Sequence, residues 1–87
     1  MIYRIEILRS ARKQMMTLPE KAQTSIVSHI DGLKEISRPP DARKLRGVDL
    51  WRLRVGRYRV IYYIDDKAGL IRVIKVAARH EDTYRRL

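Results

Sequence analysis

Eighty-seven residues suffice for one domain with a single modest core, and a formal charge of +10 gives that domain a field that attracts polyanions. The chain has no cysteine, which excludes a disulfide framework, a thiolate zinc site and a cysteine nucleophile, and His29 and His80 are too few for a multi-histidine metal site. No apolar run approaches the roughly 18 residues of a membrane span, and MIYRIEIL alternates like a strand instead of forming a signal sequence, so we expect a cytoplasmic protein without membrane contacts whose leading partner class is nucleic acid.

Residues 2–8, IYRIEIL, put Tyr3, Ile5 and Ile7 on one face and Arg4 and Glu6 on the other, the period of a strand. Ser10 is placed to cap a short helix in which Ala11, Met15 and Leu18 recur at helical spacing, with Met15 and Met16 as ordinary helix packing. Pro19 suits the first turn of a second helix, whose Ala22, Ile26, Ile30 and Leu33 form an apolar stripe that continues to Ile36. His29 flanks that stripe as a surface or packing histidine, and SRPPD at 37–41 ends the helix in a loop. After ARKLRG come three strand-like segments, 50–56, 58–64 and 70–78, separated by Gly56-Arg57 and by DDKAG, and the closing DTYRRL suits a short terminal helix. The expected fold is therefore one α+β domain over 1–87 in the order β-α-α-β-β-β. Its sheet is mainly antiparallel, with a helical hairpin on one face and the other face open.

A two-residue turn at Gly56-Arg57, with glycine at the positive-φ position, sets the hairpin register by counting. Trp51, Leu53, Val55, Tyr58, Val60 and Tyr62 then share the core face, while Arg52, Arg54 and Arg59 share the other. With DDKAG as a five-residue loop, Ile64 pairs with Leu70, Ile74 and Val76 join the core, Lys75 lies opposite Arg59, and Arg79 follows on the same face. A four-residue loop would push Lys75 into the core. Arg52, Arg54, Arg59, Lys75 and Arg79 thus form one cationic surface across three strands. Tyr63 shares it and can stack on a base, and Lys44 and Arg46, in a loop beside it, are either phosphate contacts or solvated charge. Like charges directly opposite each other on a sheet cost about 0.2–1 kcal/mol per pair, which folding does not require. A bound phosphate reverses the sign, because guanidinium groups grip it through paired, charge-assisted hydrogen bonds.

KLRG at 44–47, the hairpin WRLRVGRYRVIYY, the strand RVIKVAAR and the closing RHEDTY together resemble the RelE/ParE superfamily of toxins, especially its RelE branch. The resemblance covers nearly the whole chain. It implies the toxin of a type II toxin–antitoxin system, a ribosome-dependent mRNA interferase that enters the A site and cuts the codon there. It also implies an acidic, RelB-like antitoxin partner, ribosome and mRNA as targets, and a toxin–antitoxin complex on operator DNA. Cleavage in that branch uses the 2′-hydroxyl of the RNA, leaves a 2′,3′-cyclic phosphate and needs no metal or other cofactor.

Carried over by position, Arg52 and Arg54 match the basic residues after the KLRG element, and Arg59 matches the arginine that clamps the scissile phosphate. Arg79 matches the basic residue that protonates or stabilises the leaving 5′-oxygen, and Tyr84 the C-terminal tyrosine that aligns the nucleotide. The first two positions can be lysines in the family. A lysine can serve as general base, whereas arginine, with a pKa above about 12, cannot. His80 titrates near neutrality and can fill that role, or act as the acid in place of Arg79. Glu81 and Asp82 read as helix-start carboxylates. Two other classes stay open: the ParE branch, which shares the fold, generally lacks this basic and tyrosine constellation and poisons DNA gyrase, and a non-catalytic nucleic-acid-binding module, for which the basic face alone would suffice.

Overall fold

The strand alternation and the helical stripe meet in one five-stranded sheet with two helices on one face. The computed structural model of the chain describes residues 2–78. The elements run β1 (Arg4–Ile7), α1 (Arg9–Met16), α2 (Glu20–Gly32), β2 (Ala42–Lys44), β3 (Trp51–Val55), β4 (Tyr58–Asp65) and β5 (Leu70–Ala78). Across the sheet the order is β1-β5-β4-β3-β2, with β1 parallel to β5 and every other pair antiparallel. The helices therefore lie in the crossover between the two edge strands.

The core forms where the stripe of α2 meets the even-numbered side of β4. Ile26, Ile30 and Leu33 are buried with Leu53, Val60, Tyr62, Ile71 and Val73, and α1 adds Ala11 and Met15. Burying a side chain of this size stabilises the fold by roughly 1.5–3 kcal/mol. Trp51 and Tyr58 are only partly buried, packed against the edge of this cluster. Two helix-end expectations need correction. Ser10 is the second residue of α1, whose N-cap is Leu8 with no side-chain cap bond. The stripe of α2 stops at Leu33, its C-cap, and Ile36 is 60% exposed because the turn after Gly32 carries it away from the sheet.

The loop after α2 is held down by polar contacts. The Tyr62 hydroxyl donates to the Ser37 carbonyl at 2.8 Å, and burial pushes its pKa up to about 12. Arg38 pairs with Asp66 at 3.0 Å and lies 5.3 Å over the Trp51 ring, while the Tyr3 hydroxyl donates to Asp66 at 2.5 Å. The hydrogen bond from Arg38, with that from Tyr3, holds the Asp66 carboxyl below the ordinary carboxylate range.

Two departures from the expected strands reshape the open face. The ARK of 42–44, read as loop, is the edge strand β2, paired antiparallel with β3. It carries two charges in three residues, so it shows no hydrophobic period and forms because β3 offers it a ladder. The β4–β5 connection is also shorter than expected: Asp65 pairs with Leu70 and Ile64 with Ile71, leaving 66–69 as a four-residue loop with Gly69 at φ +63. In that register Lys75 would oppose Val60 in the core. The pairing instead jumps from Tyr62↔Val73 to Ile61↔Lys75, so Ile74 is the extra residue of a β-bulge and the phase is restored. Val73, not Ile74, fills the core, and Lys75 stands opposite Ile61, not Arg59. Among the described residues the edge of β5 has no strand partner beyond Val73, and there the Val76 N–H donates to Gln14 Oε1 at 2.8 Å.

Candidate nucleic-acid interface

Because β3 and β4 alternate and are joined at Gly56 (φ +59), every second side chain of both strands leaves the core on the side away from the helices. Arg52 and Arg54 take those places on β3, and Arg59, Ile61, Tyr63 and Asp65 on β4. Arg54 is directly opposite Arg59 and Arg52 opposite Ile61, as the count from Gly56 requires. The first three arginines and Tyr58 line one shallow cleft at the hairpin end of the sheet.

The bulge adds Lys75 to this face, and β2 adds a residue that sequence reasoning missed. Arg43 pairs with Arg52, which creates a second like-charge pair across strands. Its Nη1 donates to the Pro40 carbonyl at 2.8 Å and to its own neighbour Ala42 at 3.0 Å, which fixes the guanidinium at the sheet edge. Recognising 42–44 as a strand would have found it. Lys44 pairs with Trp51 and so belongs to the helix-side register, with Asp49 at 3.7 Å. Arg46 is exposed in the turn between β2 and β3. Neither is brought into the arginine cluster.

The face is polarised along the strands. At its far end Tyr63 pairs with Arg72, and Arg72 is held by Glu6 at 2.7 Å; Asp65 accepts from the Ala68 N–H at 3.0 Å. There Arg72 is matched by Glu6, and the hairpin end concentrates Arg43, Arg52, Arg54, Arg59 and Lys75. Such an array binds and orients phosphate and stabilises charge that develops on its oxygens. Arg79, His80 and Tyr84, and the expected terminal helix, lie outside the described residues. His29 is on the exposed side of α2, with Nδ1 2.7 Å from the Ser25 carbonyl.

A family model described as "ParE toxin of type II toxin-antitoxin system, parDE" matches residues 5–83. Among solved structures, the chain is similar to one in an archaeal RelE–RelB complex from Pyrococcus horikoshii, with 32% identity and a TM-score of 0.84 over 93% of this chain and 99% of that one. It is also similar to an E. coli RelE variant bound to a RelB peptide, with 26% identity and a TM-score of 0.80 over 99% and 94%. A chain of the chromosomal ParDE system from P. aeruginosa shares the fold at 13% identity and a TM-score of 0.75, over 91% and 98%. A search of curated protein sequences finds no match.

Proposed function

The chain belongs to the RelE/ParE superfamily of type II toxin–antitoxin toxins, and we propose that within it this protein is a ribosome-dependent mRNA interferase that cuts the A-site codon. The observation that carries the proposal is the cluster of Arg52, Arg54 and Arg59 around one cleft on the open face. In this reading the 2′-hydroxyl of the RNA attacks the adjacent phosphorus. The bond to the 5′-oxygen breaks, leaving a 2′,3′-cyclic phosphate and a 5′-hydroxyl. The three guanidinium groups hold the phosphoryl oxygens and offset the charge that builds on them, which arginine does without giving up a proton. The base that takes the 2′-proton is assigned to His80 and the group that protonates or stabilises the leaving 5′-oxygen to Arg79, both after β5 in sequence, with Tyr84 aligning the nucleotide. An acidic, RelB-like antitoxin complements a chain of charge +10.

The match to the ParE family model favours a second reading, inhibition of DNA gyrase. Purified protein added to ribosomes stalled on a defined mRNA, with new 5′ ends mapped by primer extension, separates the two. Cuts confined to the A-site codon and lost in Arg59→Ala support the interferase. Absence of cuts, together with gyrase inhibition in a supercoiling assay, replaces it with the second reading.

A further inference from the structure

Four strands contribute one residue each to a single cross-strand rank on the open face: Arg43 on β2, Arg52 on β3, Ile61 on β4 and Lys75 on β5. We infer that this rank is the path of the RNA, which crosses the sheet perpendicular to the strands. Arg43 and Lys75 then hold the phosphates on either side of the one gripped by Arg52, Arg54 and Arg59. The inference rests on the interferase reading, extends it to Arg43, which lies outside the expected constellation, and gives Lys75 a defined place in it.

Three observations set the direction. Neighbouring strands lie about 4.8 Å apart, so the three steps from β2 to β5 span about 14 Å, longer than one phosphate group. Along the strands the positive region ends at Asp65 and the Glu6–Arg72 pair in one direction and at the Gly56-Arg57 turn in the other, so a polyanion running that way would meet carboxylate at one end and leave the sheet at the other. Across the strands it meets cations at both ends of the rank. Each end is also set by a specific device: the bulge at Ile74 turns Lys75 outward, and the bonds from Nη1 to the Pro40 and Ala42 carbonyls hold the Arg43 guanidinium at the edge. Ile61, between Arg52 and Lys75, gives the rank an apolar centre on which a base can rest.

The test is the salt dependence of binding to a 2′-O-methyl RNA hexamer, which resists 2′-hydroxyl attack, compared with a dinucleotide that has a single phosphate. Each phosphate contact contributes about 0.7 to the slope of log K against log salt for single strands. Arg43→Ala and Lys75→Ala are each expected to lower the hexamer slope by about that amount and to leave the dinucleotide slope unchanged. Arg57→Ala, which removes a charge from the hairpin turn off the rank, is expected to change neither. Arg43→Lys restores the hexamer slope if charge at the edge is what matters, and melting temperatures show that the variants are folded. A hexamer slope that is the same in Arg43→Ala and Lys75→Ala as in the parent overturns the path while leaving the central cluster intact. Equal losses in all three alanine variants mean diffuse charge and overturn it too. A parent protein with no salt-dependent binding to either RNA overturns both the path and the interferase reading.

Discussion

Replacing Arg54 with threonine should make the protein more stable and less active, and the two effects share one cause. Arg54 is exposed and directly opposite Arg59 in the β3–β4 ladder. Directly opposed Cβ atoms are about 5 Å apart. Two like charges near 6 Å repel by roughly 0.7 kcal/mol in bulk water, within the 0.2–1 kcal/mol range of cross-strand pairs. Threonine suits a strand, and neither its β propensity nor the loss of the arginine stem depends on salt, so the salt dependence of the difference isolates charge. Screening then sets the salt dependence. With a Debye length of about 10 Å at 0.1 M roughly half of that repulsion survives, and with about 3 Å at 1 M little does. Urea unfolding of Arg54→Thr is thus expected to show a gain of a few tenths of a kcal/mol at low salt that disappears near 1 M, with an unchanged m value. Cleavage is expected to fall about 10²-fold, the typical loss for one donor to developing oxyanion charge. A variant destabilised by more than about 0.5 kcal/mol at low salt, or a stability difference that does not change between low and high salt, would refute the electrostatic account.

Leu53, 2% exposed on the other side of the same strand, gives the opposite result: Leu53→Ala should lose about 2–5 kcal/mol in urea unfolding at any salt, because it opens a cavity beside the helices. The Tyr62 phenol should titrate near pH 12 by ultraviolet difference spectroscopy. Its folded pKa lies above the unfolded value of about 10, so the protonated form contributes stability that is fully present below pH 10 and is lost at up to about 1.4 kcal/mol per unit as pH rises toward 12. Tyr62→Phe should flatten that alkaline loss. Asp66 has the reverse sign. Its pKa is lowered, so its contribution is present above the ordinary carboxylate range and lost as pH falls through the folded value, and Arg38→Gln should move its carboxyl NMR midpoint upward.

Most of the fold was legible because its signals are local. Alternation in WRLRV and YRVIYYID, a helical stripe at Ile26, Ile30 and Leu33, and a glycine where a two-residue turn needs positive φ together fix the β3–β4 hairpin and its register. The three arginines of the cleft follow from that register alone. Ser10 and Ile36 misled because capping residues and apolar spacing also occur where a helix begins two residues earlier or ends a turn sooner.

Composition and periodicity by themselves determined the class of the domain, the core face of its central hairpin and the cationic character of the other face, since each is a property of near neighbours in sequence. Tertiary structure decided which charges meet. Strand β2 exists only because the edge of β3 is there to pair with it, and that pairing brings Arg43 beside Arg52. A four-residue loop would have sent Lys75 into the core, and a bulge at Ile74 sends it out. No local pattern marks the bulge, because it settles a conflict between the loop's pairing and the burial of Val73 and Val76, two demands that meet only when β5 is laid against β4 and beneath the helices.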